Sequence, residues 1–557
     1  MQSLTELISQ EVFIAIKNAQ NKALLPYLET GPIPIERPQN PAHGDFACSL
    51  PLKLAKQMNM NPIEIADIIT KVLSVDGVIG YAEPVLPGFI NLFVNNNWIL
   101  DQIDVLRQNP EEYFSQDIGE GELVQIEYVS ANPTGRLHIA HARGAILGST
   151  LANLMKLAGY NIHQEYYLND SGSQINKFHT SIELRYRELL GESIEMPEDT
   201  YPGQDIIDIS TKIKNIYGDI FLNSDLEKAQ KEMFPLATEL VLEGILEDVT
   251  TLGIRFDEWF SEKSLVENGE LENCIKTLEG QGLVQNKDGA TWLLSTKLGE
   301  EKDNVLIRRD GRPTYFATDI AYHINKFQVR KFSKVINIWG ADHQGQIPRL
   351  KSALSTLGID ETKLSIMLVQ MVRIKQGEIA ERLSKRRGNV IPVVDFVDEI
   401  GVDACRFFFL SRSHESQLEF DLDLAKKDSS DNPVYYIQYA HARISSILRL
   451  ADSQGINFEN GNVQDLGEPS ELSLVKTILI FHDTIQTCVR NIEPHHLPHY
   501  SLELATAFHT FYQECRVISD VEDDTNVTKA RLKLADATRT TLRYCLEIMG
   551  MSVPDKM

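Results

Sequence analysis

Residues 123 to 159, LVQIEYVSANPTGRLHIAHARGAILGSTLANLMKLAG, limit what this chain can fold into more than any other stretch. Leu123 to Ser130 is apolar and β-branched enough for a buried parallel strand, and Asn132-Pro133-Thr134-Gly135 is turn chemistry that stops it. Ile139, Ala142, Ile146, Leu147, Leu151, Leu154, Met155 and Ala158 then recur at three- and four-residue intervals, with Gly159 as the terminating residue. Ile162 to Leu168 is the next apolar run. Strand, helix and strand in that order predict a βαβ unit and a doubly wound parallel sheet.

His138 and His141 stand three residues apart at the start of that helix, so both imidazoles share a face beside unpaired backbone N–H groups. That end of a helix favours anions. Phosphate binding, zinc binding and simple capping are all open to such a pair. A zinc site would want a third ligand and usually a general-base glutamate, as in H-E-x-x-H, and neither is supplied. Gly144 and Gly148 suit a helix pressed closely on a sheet.

At 557 residues the chain is too long for one core, and three domains are expected. The formal net charge of −25 excludes a generic nucleic-acid coat, because sequence-independent binding rests on Lys and Arg contacts to phosphate. A polyanion must meet local patches, among them Arg308, Arg309 and Arg312, and above all RLSKRRGN at 382 to 389. Lys326, Arg330, Lys331 and Lys334 are expected to form a solvated face. Cys48, Cys274, Cys405, Cys488, Cys515 and Cys545 are scattered without a C-x-x-C pair, so they read as reduced core residues without structural zinc. No apolar run approaches membrane-spanning length and the opening MQSLTELISQEVFIAI has no basic n-region, so a cytoplasmic location away from membranes is expected.

Residues 1 to 115 predict a separate α/β domain: helices over MQSLTELISQEVFIAIKNA, SLPLKLAKQMNM and PIEIADIITKVLSV, a loop at NPAHGDFA, and strand with a turn at Pro87-Gly88 in VLPGFINLFVN. Residues 116 to 430 hold the parallel sheet, interrupted at about 171 to 305 by long amphipathic helices that read as an insertion. Pro235 is expected to kink or break one of those helices, and DGATWLLSTKLG at 288 to 299 to form a strand pair returning toward the sheet. In the second half, Tyr315, Asp319 and Tyr322 or His323 fall along one helix side. Val335 to Trp339 is a buried strand running into Gly340-Ala341-Asp342-His343, and 365 to 374 is a further strand. Ser384, Lys385, Arg386 and Arg387 then put dense positive charge on a glycine-bearing loop, suited to closing over a triphosphate or to lying solvated. Residues 431 to 557 predict a bundle of four helices, with EPHHLPHY and its His495, His496 and His499 as a solvated loop.

NPTGRLHIAH resembles the His-x-Gly-His signature of class I aminoacyl-tRNA synthetases, and EYVSANPTGRLHIAHARG followed by YYLNDSGSQ is most similar to the arginyl-tRNA synthetases. Ala140 departs from the family's usual glycine, where the resemblance implies that adenine lies against the backbone. RLSKR resembles the Lys-Met-Ser-Lys-Ser loop; Leu383, Ser384 and Lys385 match, and Arg382 stands where the family has its first lysine. The resemblance covers essentially the whole chain. It implies a Rossmann-like catalytic domain, a connective insertion, an amino-terminal domain that contacts tRNA, and a carboxyl-terminal domain that reads the anticodon.

It also implies an enzyme that activates L-arginine with ATP and passes it to the 2′-hydroxyl of the terminal adenosine of arginine tRNA. Magnesium would accompany the ATP, and no protein-bound zinc is expected. A monomer is implied. Catalytic positions carried over are His138, His141, Lys385 and Arg382. The nucleotide motif comprises Ala131, Asn132, Pro133, Thr134, Gly135, Arg136, Leu137, His138, Ile139, Ala140 and His141, with Gly340, Asp342, Ser384 and Lys385. Arginine would be held by Glu127, Asn132, Tyr315, Asp319 and His343, carboxylates being the fitting partners of a guanidinium. Tyr436, Tyr439 and Met557 stand where family members meet anticodon bases. A cysteinyl synthetase would need a zinc-bound cysteine set that is missing here, and a non-catalytic tRNA-binding paralogue is set against by the intact histidines and Lys385.

Overall fold

The computed structural model describes residues 2–222, 226–375, 377, 391–519 and 525–557. The first helix, Leu4–Asn21, starts on a reciprocal cap: Ser3 Oγ accepts from the Glu6 N–H while the Glu6 carboxylate accepts from the Ser3 N–H. It buries Ile8, Val12, Ala15 and Ile16 and packs chiefly on the helix Pro62–Val72, beside an antiparallel sheet of β1 (Ile35–Glu36), β2 (Phe46–Cys48), β3 (Ile79–Val85) and β4 (Phe89–Val94), in the order β1-β2-β4-β3. Pro87 and Gly88 sit in the β3 to β4 turn, as expected. The expected loop 40 to 47 is shorter than predicted, because Phe46 and Ala47 already pair with Leu92 and Asn91.

The central sheet is β5 (Leu123–Glu127), β6 (Asn161–Leu168), β7 (Glu258–Ser261), β11 (Lys334–Gly340) and β12 (Leu364–Val369), all parallel, in the order β12-β11-β5-β6-β7. The strand order reverses at β5, which has β6 on one side and β11 on the other. In open α/β sheets the ligand crevice opens at the carboxyl ends of strands flanking such a switch point. The helix between β5 and β6, Ile139–Leu157, is buried along most of its middle, from Ala145 to Ala152, with Ala140 and Lys156 exposed near its ends. A Cβ on Gly148 would come within 2.4 Å of the Tyr128 ring, so only glycine allows this approach, whereas a Cβ on Gly144 would meet Ile338 at an ordinary 3.9 Å. The closest approach therefore belongs to Gly148 alone.

Residues 171 to 305 are less of an excursion than the sequence suggests. β7 returns to the edge of the central sheet from within them, too short and too polar at Glu258 to stand out. The helices Gly172–Leu189, Gln204–Tyr217 and Phe234–Thr251 share a core of their own, with Ile182, Ile213, Met233 and Val241 among its members. Pro235 does not break its helix: a wider π turn, Ala229–Met233, directly precedes it and absorbs the missing N–H. The strand pair predicted at 288 to 299 is a turn, one strand and a short helix of a separate antiparallel sheet, β8 (Val284–Lys287), β9 (Ala290–Leu293) and β10 (Asn304–Ile307). The strand predicted at 365 to 374 divides: after β12 the chain forms β13 (Val372–Ile374), which pairs with β14 (Leu418–Phe420) instead.

The carboxyl-terminal bundle comprises Pro433–Ser453, Pro469–Leu479, Phe481–Asn491, His496–Glu514 and Thr525–Met549. Five helices stand here among the described residues where four are expected, because the apolar stretch 473 to 492 belongs to two helices that meet at Ile480. EPHHLPHY is only half loop, since His496 to Tyr500 already form the first turns of a helix. Taken together, Pro469–Asn491 is long and apolar enough to cross a membrane, contrary to expectation; most of it is buried in the bundle core. One hydrophobic core runs from Ile8 and Phe114 through Leu147 to Phe481 and Leu542. Around it, Arg107 joins Asp536 and Glu459 at 2.9 and 2.8 Å, Lys533 joins Asp104 at 2.8 Å, and Lys476 joins Asp45 at 2.7 Å. All six cysteines are buried and free, as expected.

Candidate active site

Glu127 ends β5, opposite Asn337 of β11 and Glu165 of β6. Beyond it the backbone turns abruptly, with Val129 at φ 70° and Ser130 at φ 43°. A β-branched residue in the left-handed region costs on the order of 1–2 kcal/mol, so surrounding contacts must hold it there. Ser130 Oγ donates to Glu127 Oε1 at 3.0 Å and accepts from the Tyr167 N–H at 3.2 Å, and the Tyr166 hydroxyl donates to the Ala131 carbonyl at 2.9 Å. These bonds lay residues 131 to 138 across the end of the sheet. Asn132 and Ala140 are exposed, Pro133 is buried, and Thr134 N–H donates to the Asn132 carbonyl at 2.8 Å. A Cβ on Gly135 would strike the Asp205 carboxylate. Arg136 turns away from the crevice to form a fork on buried Asp248, which also accepts from the Leu137 N–H at 2.8 Å. Its side chain is an anchor for the turn.

His138 caps the helix that begins at Ile139. Its backbone N–H donates to His141 Nδ1 at 3.2 Å, which leaves the proton of a neutral His141 on Nε2, and the two rings lie 3.9 Å apart. Burial pushes both imidazoles down, and His138 beside it takes His141 to about 3. Near neutral pH the pair offers N–H donors at an anion-favouring helix end, without adding charge of its own. Arg143, one turn on, is buried and donates to the carbonyls of Gln370, Ser413 and Ser416 at 2.8 to 2.9 Å, pinning the histidine helix to the strand side.

Arg382, Ser384 and Lys385 lie outside the described residues. The chain on their carboxyl side does not: Ile139 N–H donates to the Ile391 carbonyl at 3.0 Å, and Val393 N–H to the Leu137 carbonyl at 2.9 Å. The segment that follows the basic motif in the chain is thus stitched to the histidine motif by backbone bonds.

Across the crevice, the helix Tyr315–Ile324 carries a row of chemistry. Asp319 is pushed up to about 7, first by burial and then by the charges of Glu127 and Glu262. Glu262 is itself buried and raised by that burial, and accepts from Thr318 Oγ1 at 2.8 Å. Tyr315 is 45% exposed, and its hydroxyl stands about where a Cβ on Gly172 would meet it, at 3.6 Å. Gly340, Asp342 and His343 follow β11 at its carboxyl end, where Asp342 is exposed and His343 half-exposed beside it. The expectation of a solvated face at 326 to 334 fails for two residues. Lys326 is fully buried, 2.6 Å from Glu127 Oε2, and Arg330 is mostly buried between Glu165 and Glu258. Sequence reasoning missed Lys326, Glu262 and Asn337. For Lys326 a signal was there, because a lysine seven residues past Asp319 returns to the same helix face.

In the bundle, Tyr436 packs on His509 at 4.5 Å, and Tyr439 stacks on Tyr435 under the Arg443 guanidinium. Met557 is half-exposed and lines a cavity of about 340 Å³ with Gly401, Asp403, Tyr435 and Gln438. Tyr435 therefore joins the two expected surfaces. Among the described residues, donor atoms of Glu493, His495 and His496, and of His163, Glu165 and Glu258, come within 4.8 Å of one another; Arg330 occupies the second group.

Three family profiles match: the arginyl tRNA synthetase N terminal domain at 10–94, the class I tRNA synthetase (R) catalytic domain at 103–411, and the DALR anticodon binding domain at 437–557. The arginine–tRNA ligase of Dehalococcoides mccartyi is 44% identical over 555 residues, covering 100% of this chain and 99% of its own. The chain belongs to the arginyl-tRNA synthetase family. The Carboxydothermus hydrogenoformans member is 45% identical over 563 residues, covering 100% of both chains. In fold, the synthetase of Thermus thermophilus superposes with a TM-score of 0.77 at 20% identity, over 99% of this chain and 100% of that one. Within the family's class I architecture, the β5/β11 crevice and the histidine helix start occupy one end of the catalytic sheet.

Proposed function

We propose that this chain is an arginine–tRNA ligase whose reaction is carried out in the crevice between β5 and β11, using ATP, L-arginine and arginine tRNA. The observation that carries this is the pairing of Leu137–Ile139 with Ile391–Val393, which brings the chain next to the basic motif to the histidine helix start. The arginine carboxylate attacks the α-phosphorus in line, the bond to the bridging oxygen breaks, and pyrophosphate leaves. Such a step needs positioning and charge neutralisation more than a base. His138 and His141 donate N–H to phosphate oxygens, Lys385 and Arg382 supply positive charge, and magnesium bound with the nucleotide adds more. Asp342, an exposed oxygen donor at the strand end, suits a hard cation where the imidazoles do not.

Glu127 and Asp319 receive the guanidinium, Tyr315 covers its plane, and Asn132 and His343 hold the amino-acid end. In the second step the 2′-hydroxyl of the terminal adenosine attacks the carbonyl carbon and AMP leaves. Tyr436, Tyr439 and Met557 serve the anticodon, and the enzyme acts as a cytoplasmic monomer. Pyrophosphate exchange with each amino acid, with and without cognate tRNA, tests the whole assignment. Arginine alone should support exchange, and only with tRNA present. Exchange with another amino acid would refute the substrate, and robust exchange in RNA-free enzyme would refute the tRNA requirement.

A further inference from the structure

Glu127 and Asp319 come from different elements, a strand end and a helix, yet a guanidinium fork demands that their spacing be held. One file of buried hydrogen bonds runs from one to the other. Lys326 Nζ donates to Glu127 Oε2 at 2.6 Å and to Asn337 Oδ1 at 3.0 Å. Asn337 Nδ2 meets His323 Nε2 at 2.8 Å, and His323 Nδ1 meets the Asp319 carbonyl at 2.7 Å. The polarity admits one arrangement. An ammonium only donates, so the Asn337 oxygen faces it; the Asn337 amide must then donate to Nε2, which puts the histidine proton on Nδ1, where it reaches the carbonyl. Burial and the nearby Lys326 charge push His323 down to about 3, so the ring stays neutral as this tautomer requires.

Lys326 and Asn337 are wholly inaccessible and His323 is 1% exposed, so none of the three can touch a ligand. A buried ammonium is costly to desolvate, and well-packed apolar side chains of similar volume commonly replace such pairs without loss of stability. Core packing alone is therefore a poor account of a lysine here. Lys326 also sits in a π turn, Asn325–Val329, that continues the Asp319 helix, a local widening frequent at functional sites. Through the file, β5, β11 and that helix are locked in one relative position.

We propose that Lys326, Asn337 and His323 are positioning residues that set the span between Glu127 and Asp319, and with it the length of guanidinium side chain that the pocket accepts. The inference rests on the assignment of those two acids to the guanidinium. It is tested in the full enzyme with tRNA by pyrophosphate exchange, varying arginine, homoarginine and ATP. Lys326→Met should raise the KM for arginine by about tenfold or more with a smaller fall in kcat, leave the KM for ATP within about twofold, and narrow the preference over homoarginine. Lys326→Arg should recover part of that loss. Asn337→Asp keeps the shape and the lysine's acceptor but removes the donor to His323, so it should raise the arginine KM severalfold, and it decides the matter should Lys326→Met fail to fold. A wild-type arginine KM and homoarginine ratio in either folded variant, or equal losses for ATP and arginine, would overturn the proposal. Asp319→Asn and Glu127→Gln separate the two layers. If these lose arginine binding and the relay variants do not, only the relay is wrong; if Asp319→Asn binds arginine normally, the underlying assignment is wrong.

Discussion

Arg136 holds Asp248 by two nitrogens, Nε at 3.0 Å from one carboxylate oxygen and Nη2 at 2.7 Å from the other, and the Asp248 side chain has no exposure at all. Among the described residues, Arg136→Ala would leave that carboxylate with the Leu137 N–H as its one remaining hydrogen-bond donor. The arginine is a third exposed, so the loss is expected at about 2–3 kcal/mol, below the roughly 3–5 kcal/mol of a fully buried pair because solvent screens it. Burial already raises the Asp248 carboxyl, and removing Arg136 raises it further. A native state that holds its proton more tightly than the unfolded chain loses stability as pH rises, so the defect should shrink between pH 7 and pH 5. Denaturant midpoints at the two pH values check this; an equal defect at both would show that Asp248 is not the cause.

Asp319 should give arginine use an acid limb. A guanidinium wants the ionised carboxylate, and the free group lies at about 7. kcat/KM for arginine should then rise up to about tenfold per pH unit below 7 and level off above it. His138 and His141 cannot supply this limb, because both are pushed down. Asp319→Asn should flatten the profile at a lower level and narrow the preference for arginine over citrulline. A flat wild-type profile from pH 6 to 8 would remove Asp319 from the guanidinium site.

The same shift predicts how arginine protects the fold. The raised carboxyl favours the protonated native state, so this contribution to stability is fully present below the ordinary aspartate value and is lost as pH rises through 7. Arginine binds the ionised form and should restore more stability at pH 8 than at pH 6. Thermal shifts with arginine at both pH values, compared with Asp319→Asn, measure it.

Gly148 and Gly144 should part company. Gly148→Ala puts a methyl into the Tyr128 ring and should cost roughly 1–3 kcal/mol, displacing the histidine helix and slowing adenylate formation. Gly144→Ala meets ordinary contact space and replaces a flexible helical residue, so stability should hold or rise by about 0.5–1 kcal/mol. Melting temperatures of the two variants decide, and equal losses would refute the distinction.

Lys385→Ala should slow adenylate formation about a hundredfold, with the arginine KM little changed, because the charge it meets develops in the transition state. An unchanged activation rate with weaker tRNA binding would make that loop an RNA-docking surface.

Much of this was legible in the residues, for identifiable reasons. The β5 to β6 unit announces itself because apolar residues at period 3.6 follow a β-branched run and a turn tetrapeptide, all within 46 residues of contiguous chain. β7 did not, being four residues long with Glu258 and Ser261 at its ends. Of the two outcomes expected at Pro235, a kink or a break, the break does not occur, because the helix before it widens instead of stopping. Lys326 and Arg330 looked like solvent residues because their partners, Glu127, Glu165 and Glu258, are far away in sequence, and charge runs carry no mark of burial. Spacing placed the histidine pair, and Tyr315 with Asp319, each on one helix face, but it left their chemistry open, and a ligand role for them came only from the family resemblance.

The helix that carries His141 is exposed only near its two ends, at Ala140 and Lys156. Leu147, Leu151 and Leu154 share one core with Phe481 and Leu542 of the bundle, Asn153 donates to the Ile548 carbonyl, and Gln116 to that of His482. Whatever the bundle reads, it also backs the helix that carries His141. Cutting the chain near residue 431 to obtain a minimal enzyme would strip an apolar face from the helix that presents the histidines, and the fragment should aggregate before its chemistry could be assayed. Swapping anticodon specificity between relatives therefore has to be done by changing side chains on an intact bundle, never by exchanging the bundle whole.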